Sequence, residues 1–431
     1  MINDITLVEN GPAQRFEGTD ADLAELAMRS TELVNRLALP GEPFDIDPVN
    51  RTVSVRYVAG YIPLGDSTIE VLPHVLRHDP GWRMSMLTML TAIKRLEWSP
   101  IADRATRHAN LPGLLGLILA EAMGRAVGEG VPRNYVEGSG RSSSIRGQID
   151  PAKAWRRVID PYVVDCRYSD FVANHPVAAA LKWACGELSG AVKEEWLQSE
   201  LLNYKELFPE AGRELPGPAV LDGMQLTPQF GFLQDALDVA RLLAMCPQGG
   251  TSARPGAPGR AFLWNTETMF LEFVNMVIEN AAKAAGGTSY REQRSVASFR
   301  SSRVREEAVA DAVVQVGNEV VAIRISPDEY TDDNFDELAA AVVAAGKRLG
   351  SLDVAVVYPA SMSLRPGSQW KLHDEDGPRM LHAVSLDPSG VGEIGGMERI
   401  REDLGMDLGA VISVSRRRGS SLATNRFAAS R

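Results

Sequence analysis

The apolar positions of the chain change period several times, and each change marks an element. Apolar residues at helical spacing run from Asp20 to Leu39, where Pro40-Gly41 stops the helix. Strand-like runs follow over Thr52–Ala59, a short piece at Tyr61–Leu64, and Ser67–Leu72, with a turn at Gly65-Asp66. After Pro80 the period becomes helical through Leu96, and apolar residues spaced by three and four predict a second helix over Leu114–Val127. The stretch Val131–Asp150 (VPRNYVEGSGRSSSIRGQID) has no period and reads as loop, and a helix carrying Lys153, Arg156 and Arg157 is expected after it. Further helices are predicted over Val177–Ser189, Val192–Leu207 and Leu233–Ala244.

Residues 247–260 (PQGGTSARPGAPGR) lose all periodicity and read as a linker. A new domain is expected from Ala261. Its first helix, Thr266–Ala285, carries apolar residues at Met269, Phe270, Phe273, Val274 and Val277. The stretch Arg305–Ser326 reads as two short strands around a tight turn at Gly317-Asn318, the second strand being Glu319–Ile325. A helix over Asp333–Leu349 and a strand over Asp353–Tyr358 complete the pattern. The end, SRRRGSSLATNRFAASR, reads as a basic, disordered tail.

Composition adds limits. With 431 residues, 45% apolar and 23% charged, the chain is long enough for two or three domains of ordinary globular type. A net charge of −11 argues against a general nucleic-acid coat but leaves room for a local basic groove. Three widely spaced cysteines give no zinc pattern and suit a reducing cytoplasm. The start, MINDITLVENG, lacks the basic and apolar regions of a signal peptide. Leu111–Met123, broken by Gly113 and Gly116, is short for a bilayer, so no membrane is expected. No GxxxxGK[ST] loop is present, so nucleotide hydrolysis by the chain itself is not expected.

Candidate chemistry sits in two places. Arg141, Arg146, Lys153, Arg156 and Arg157, with Arg133 nearby, form a local basic patch, either a nucleic-acid contact or a solvated face. Asp311 sits early in the first strand of the Gly317-Asn318 hairpin. Many metal-dependent nucleases place an acid there, then Asp/Glu-x-Lys on the next strand, because two carboxylates hold Mg²⁺ while a cation faces the attacked phosphate. Here the corresponding positions are Ala322 and Arg324. Asp311 alone offers a weak metal site, and no cofactor is expected unless Mg²⁺ serves an active site. Glu272 is turned by about 100° from Leu271 on its helix, and Glu319 lies an odd number of residues from Ala322. Glu306, Glu307, Asp328 and Glu329 flank the strands. His74 and His78 read as surface histidines, Ser142–Ser144 have no histidine placed to activate them, and Tyr57, Tyr61, Met84, Met86 and Met89 read as packing.

Several stretches together resemble the McrC family, the nuclease subunit of McrBC-type 5-methylcytosine, modification-dependent restriction systems. They are YVAGYI (57–62) with LGDSTIEVLP (64–73), GVPRNY (130–135) with RGQID (146–150), CRY (166–168) with NHPV (174–177), and FLW (262–264) with MF and EFV (269–274). The resemblance implies a multidomain α/β chain. An N-terminal α+β region of short strands and helices (1–246) would dock on a hexameric McrB-like AAA+ GTPase, enter its channel and stimulate it. After a linker (247–260), a PD-(D/E)xK nuclease-like α/β domain (261–390) would face DNA, and a helix and basic tail (391–431) would close the chain. It also implies that Asp311 matches the first metal-binding acid. Ala322, Arg324 and Leu271 stand where an acid, a lysine and a glutamate belong; Glu337 and Ala341 replace a Gln and a Tyr. The expectation is a cytoplasmic phage-defence subunit whose cutting site is degenerate, with an active Mg²⁺-dependent endonuclease of rearranged site as the alternative.

Overall fold

The computed structural model describes residues 3–64, 67–93, 110–130, 134–172, 176–208, 218–226, 228–246, 261–291, 310–327, 332–350, 353–360, 369–374, 377–393, 395–404, 406, 407 and 411. The Gly65-Asp66 turn, the 247–260 linker, Arg133, Glu306, Glu307, Asp328, Glu329 and the basic tail lie outside these residues.

The chain opens with β1 (Asn3–Val8), β2 (Gln14–Arg15) and α1 (Asp20–Arg36). Thr19 starts α1 reciprocally: its hydroxyl accepts the Asp22 N–H at 3.2 Å and the Asp22 carboxylate accepts the Thr19 N–H at 2.8 Å. β3 (Phe44–Asp47) and β4 (Thr52–Val55) join β2 in a sheet of order β2-β4-β3. The expected strand Thr52–Ala59 is in fact two. Tyr57 has φ 65°, a left-handed backbone that cannot continue the pleat, and β5 (Val58–Leu64) begins after it. β6 (Ser67–Leu72) and α2 (Trp82–Ile93) follow.

The helix predicted from Leu114 is longer, α3 (Leu111–Glu129). By length and composition it could cross a membrane, but it is mostly buried and packs against α4 (Pro176–Ser189), α5 (Glu195–Glu206) and α7 (Gln234–Met245), as a core helix does. Gly116 does not break it. A Cβ there would meet Val192 and Leu197 side-chain atoms at 3.0 and 3.2 Å, so the glycine permits close approach of the α5 segment. The stretch Val131–Asp150 is not merely loop: β7 (Asn134–Ser142) and β8 (Gln148–Ile149) flank β9 (Val164–Val172) in a sheet of order β7-β9-β8. The segment carrying Lys153, Arg156 and Arg157 is a 3₁₀ helix, Pro151–Val158, started by Asp150, whose carboxylate accepts the Ala152 N–H. α6 (Pro218–Gly223) completes this region.

The last third begins with β10 (Phe262–Asn265) and α8 (Thr266–Ala284), whose predicted apolar positions are all buried. β11 (Thr288–Tyr290), β12 (Ala312–Val316), β13 (Glu319–Ile325), α9 (Asp332–Leu349), β14 (Asp353–Pro359), β15 (Gln369–Asp374) and β16 (Gly377–Leu386) follow. They build a six-stranded sheet of order β11-β12-β13-β14-β16-β15. β13, β14 and β16 run parallel, and α9 is the crossover that a parallel β13–β14 pair requires. Gly317, φ 63°, makes the two-residue turn between β12 and β13. Val313, Ala322, Val354 and Val356 of the sheet are fully buried against Val342 and Ala345 of α9.

The chain forms two compact units: Met1–Gly60, Ile69–Leu96 and Leu263–Arg431 in one, and Tyr61–Thr68 with Glu97–Phe262 in the other. The units therefore do not follow the expected 1–246 and 261–390 halves. Within the first unit α2 packs on α8, and Glu9 reaches Thr266, 257 positions away.

Candidate functional site

The β12–β13 hairpin sets the geometry around Asp311. The ladder pairs Ala312 with Ile323, so one step further Asp311 stands opposite Arg324, just before β12 rather than within it. The Asp311 N–H donates to the Ile323 carbonyl at 2.9 Å. Its Oδ2 accepts the Ile325 N–H at 2.9 Å, and Arg324 Nη1 lies 3.4 Å from its Oδ1. A backbone N–H held by a carboxylate contributes about 1.5–3 kcal/mol, so this acid helps fasten the hairpin.

The three positions that the resemblance singles out, Ala322, Arg324 and Leu271, differ in surroundings. Ala322 is paired with Val313 and wholly buried in the largely apolar core beneath α9, where an ionised carboxylate would be costly. Arg324 shares its strand face, two residues on. Leu271, half-buried on α8, lines the same cavity as Asp311 and Arg324. That cavity, about 1070 Å³, lies within the first compact unit.

Of the flanking acids whose positions are described, neither Glu272 nor Glu319 lines this cavity. Glu272 is held by Arg291 through two 2.6 Å bonds, which raise the guanidinium above its usual range. Glu319 is the first residue of β13, paired with Val316 at the turn end. Glu267, which the sequence reading passed over, lines the cavity one helical turn before Leu271; the i, i+4 spacing was the available signal.

His74 is not the surface residue its sequence suggested. Its Nδ1 lies 2.9 Å from Glu9 Oε2, its backbone N–H donates to the same oxygen at 3.1 Å, and its Nε2 faces the Pro327 carbonyl at 2.7 Å. The Thr266 hydroxyl donates to Glu9 Oε1. The nearly buried Glu9 carboxylate is thereby committed to protein donors. His78 is exposed, as expected, and its Nε2 accepts from Arg77 Nε at 2.9 Å.

Mg²⁺ fits these residues poorly. It wants carboxylate oxygens in octahedral array, whereas Asp311 has one oxygen on a backbone N–H and the other against a guanidinium, and Glu9 is spent on Thr266 and His74. Among the described residues no group of three His, Cys, Asp or Glu is placed to hold a metal ion.

One strained segment borders the cavity. Tyr57, with φ 65°, costs about 1–3 kcal/mol that its surroundings must offset. The Arg56 N–H donates to the Pro43 carbonyl at 2.9 Å and the Tyr57 carbonyl accepts the Thr266 N–H at 3.0 Å, pinning both sides.

The second unit carries the predicted basic patch. Arg141 and Arg146 are exposed, with Arg146 lying over the Tyr168 ring at 4.4 Å. Lys153 is 3.8 Å from Asp150 and Arg156 is 3.5 Å from Asp165, so nearby carboxylates offset part of the charge. Arg157 lies in the 3₁₀ helix, but its side chain is outside the description. Exposed Ile145, Trp155, Val158, Ile159 and Tyr162 surround these cations, a mixed apolar and basic surface.

Two sets of relatives bear on this architecture. The family model described as McrBC 5-methylcytosine restriction system component matches residues 53–334, well over half of the chain. The chain belongs to that family, on its McrC side. A solved half-complex from a tetradecameric assembly of Thermococcus gammatolerans McrB AAA+ hexamers with bound McrC is similar with a TM-score of 0.69 at 14% identity, over 93% of this chain and 99% of the other. A cryo-EM structure of the Thermococcus gammatolerans McrBC complex gives 0.51 at 14% identity, over 64% and 88%. No curated protein matches.

Proposed function

We propose that this chain is the McrC-type subunit of a restriction complex, docking on a McrB-like AAA+ GTPase hexamer and stimulating it, with a nuclease-like domain that no longer cuts. The observation that carries the reading is Asp311, whose carboxylate is bound to the Ile325 N–H beside Arg324 while Ala322 lies in an apolar core. Losing one aligned electrostatic group costs about 10²–10³ in rate, and three positions have changed. In this reading the complex works in the cytoplasm against foreign DNA, and the GTPase partner does the sensing.

The test mixes the purified chain with the McrB-type GTPase and methylated DNA. GTP turnover is expected to rise while the DNA stays intact in Mg²⁺ or Mn²⁺. Unchanged turnover removes the docking role. The second reading, an active endonuclease with a rearranged metal site, draws on Glu267 lining the Asp311 cavity; cutting that disappears in Asp311→Ala would establish it.

A further inference from the structure

The first unit ends in a groove whose charge is opposite to that of the chain that follows it. After β16 a helix runs over residues 396–404 and continues at 406 and 407, with Ile400 and Leu404 buried. Between this helix, the ends of β14 and β16, and the stretch 78–80 lies an open groove of about 630 Å³. The buried acid in its wall, Asp79, is used inside the protein: it accepts the Gly81 and Gly390 N–H groups and the Ser85 hydroxyl. Asp403 and Asp407 are different. They line the groove one helical turn apart, like charges at the spacing that brings side chains together, and no cation among the described residues pairs with them. Burial, and after it the Asp403 charge, raise the Asp407 carboxyl above its usual range. Arg399, four residues before Asp403, does not compensate, because its guanidinium donates to the Ser389 carbonyl at 2.6 Å. His78, across the groove, accepts from Arg77 through Nε2 at 2.9 Å. Between the two acids in sequence, Met406 lines the groove and is 67% exposed. Uncompensated like charges beside an exposed apolar side chain fit an occupant that is cationic and partly apolar.

The chain itself continues into such a segment. Val411 is the last described residue, four positions after Asp407. Residues 387–411 carry six acids and two arginines, whereas 412–431 carry five arginines and no acid, with Leu422 and Phe427 among them. Arg416, Arg417 and Arg418 come five to seven residues after Val411, an extended reach of about 17–23 Å. We infer that this groove is the docking site of the chain's own basic tail, with the guanidinium groups of Arg416–Arg418 against Asp403 and Asp407, in cis.

The experiment digests the full chain with trypsin and follows the bonds after Arg416, Arg417 and Arg418 by mass spectrometry, relative to a free peptide of residues 412–431. In wild type at low salt these bonds should be cut about tenfold more slowly than in the peptide. At about 1 M salt, where charges are screened beyond about 3 Å, the protection should fade. Asp403→Asn with Asp407→Asn should remove it at low salt. Glu398→Gln with Glu402→Gln takes the same charge from exposed positions of the same helix that do not line the groove, and should leave protection in place. So should Arg365→Ala, which removes the arginine of the neighbouring stretch 361–368, outside the described residues. A dye on Ser420→Cys reports the contact without a protease, since Cys166, Cys185 and Cys246 are buried; its anisotropy should fall in the Asp403/Asp407 pair and hold on dilution. Circular dichroism checks the folding of each variant, and the salt series on wild type tests the contact without any substitution. Cutting of wild type as fast as the peptide, or protection that ignores salt or the Asp403/Asp407 pair, overturns the inference. Equal loss in the Glu398/Glu402 pair, or protection seen only in Arg365→Ala, does the same. Protection that fades on dilution would place the tail on a second copy and overturn docking in cis.

Discussion

Each unit contains an Asp–Arg pair, and the two pairs do opposite jobs. In the second unit Asp238 and Arg241 sit one turn apart on α7, both buried, at 2.8 Å. Arg241 also donates to the Leu221 and Met224 carbonyls, which ties the α6 region to α7. In the first unit Asp311 and Arg324 face each other across a hairpin at 3.4 Å, and both border an open cavity. The enclosed pair is architecture with every bond turned inward. The bordering pair is looser and keeps contact with the space where a ligand would lie. Pairing alone therefore says little about role; what matters is which way the remaining donors point.

Four substitutions or titrations would sharpen or break that contrast. The largest effect is expected from Arg241→Met. It leaves a buried carboxylate without its cation and two carbonyls without donors, so urea unfolding should lose about 3–5 kcal/mol. Next comes Ala322→Asp, which puts an acid where the resemblance expects one, in the buried core beneath α9. It should cost about 3 kcal/mol or more in the same measurement and restore no cutting. A stable, cleaving Ala322→Asp variant would overturn the account of that position. Third is pH. Burial pushes Asp238 up to about 6, with Arg241 only partly opposing it. An acid raised in the folded state binds its proton more tightly there, so its contribution is fullest below the unfolded value near 4 and fades as pH rises through 6. The loss should be about 1–3 kcal/mol between pH 4 and 7 and be absent in Asp238→Asn. Smallest is Arg324→Met, expected to cost about 1 kcal/mol because its pair is partly exposed. A loss matching that of Arg241→Met would erase the distinction between the pairs.

Legibility in the sequence followed locality. α8 was readable because its apolar residues at Met269, Phe270, Phe273, Val274 and Val277 all face one core. The β12–β13 hairpin was readable because Gly317-Asn318 dictates its turn. β7 was not: NYVEGSGRS has no alternation, and its strand exists because nine residues pair with β9 some thirty positions on. β16 was missed in the same way, since its partners β14 and β15 supply the order. The Asp311–Arg324 pairing followed from hairpin register, and its geometry could be anticipated. His74 could not, because its partners Glu9 and Pro327 lie far away in both directions. The same holds for the cavity arginines: Arg56 and Arg77 neighbour Asp311 only after the fold is complete.

The bond between Glu9 and Thr266, with His74 reaching on to Pro327, also has a bearing on biosynthesis. The opening strand emerges from the ribosome long before the helix that receives it, and the intervening unit must be made in between. The first unit draws on residues from both sides of that intervening stretch, so it cannot be completed until the last third of the chain is made. Fragments cut at the glycine- and proline-rich stretch should for that reason be poorly soluble apart and recover order only when co-expressed.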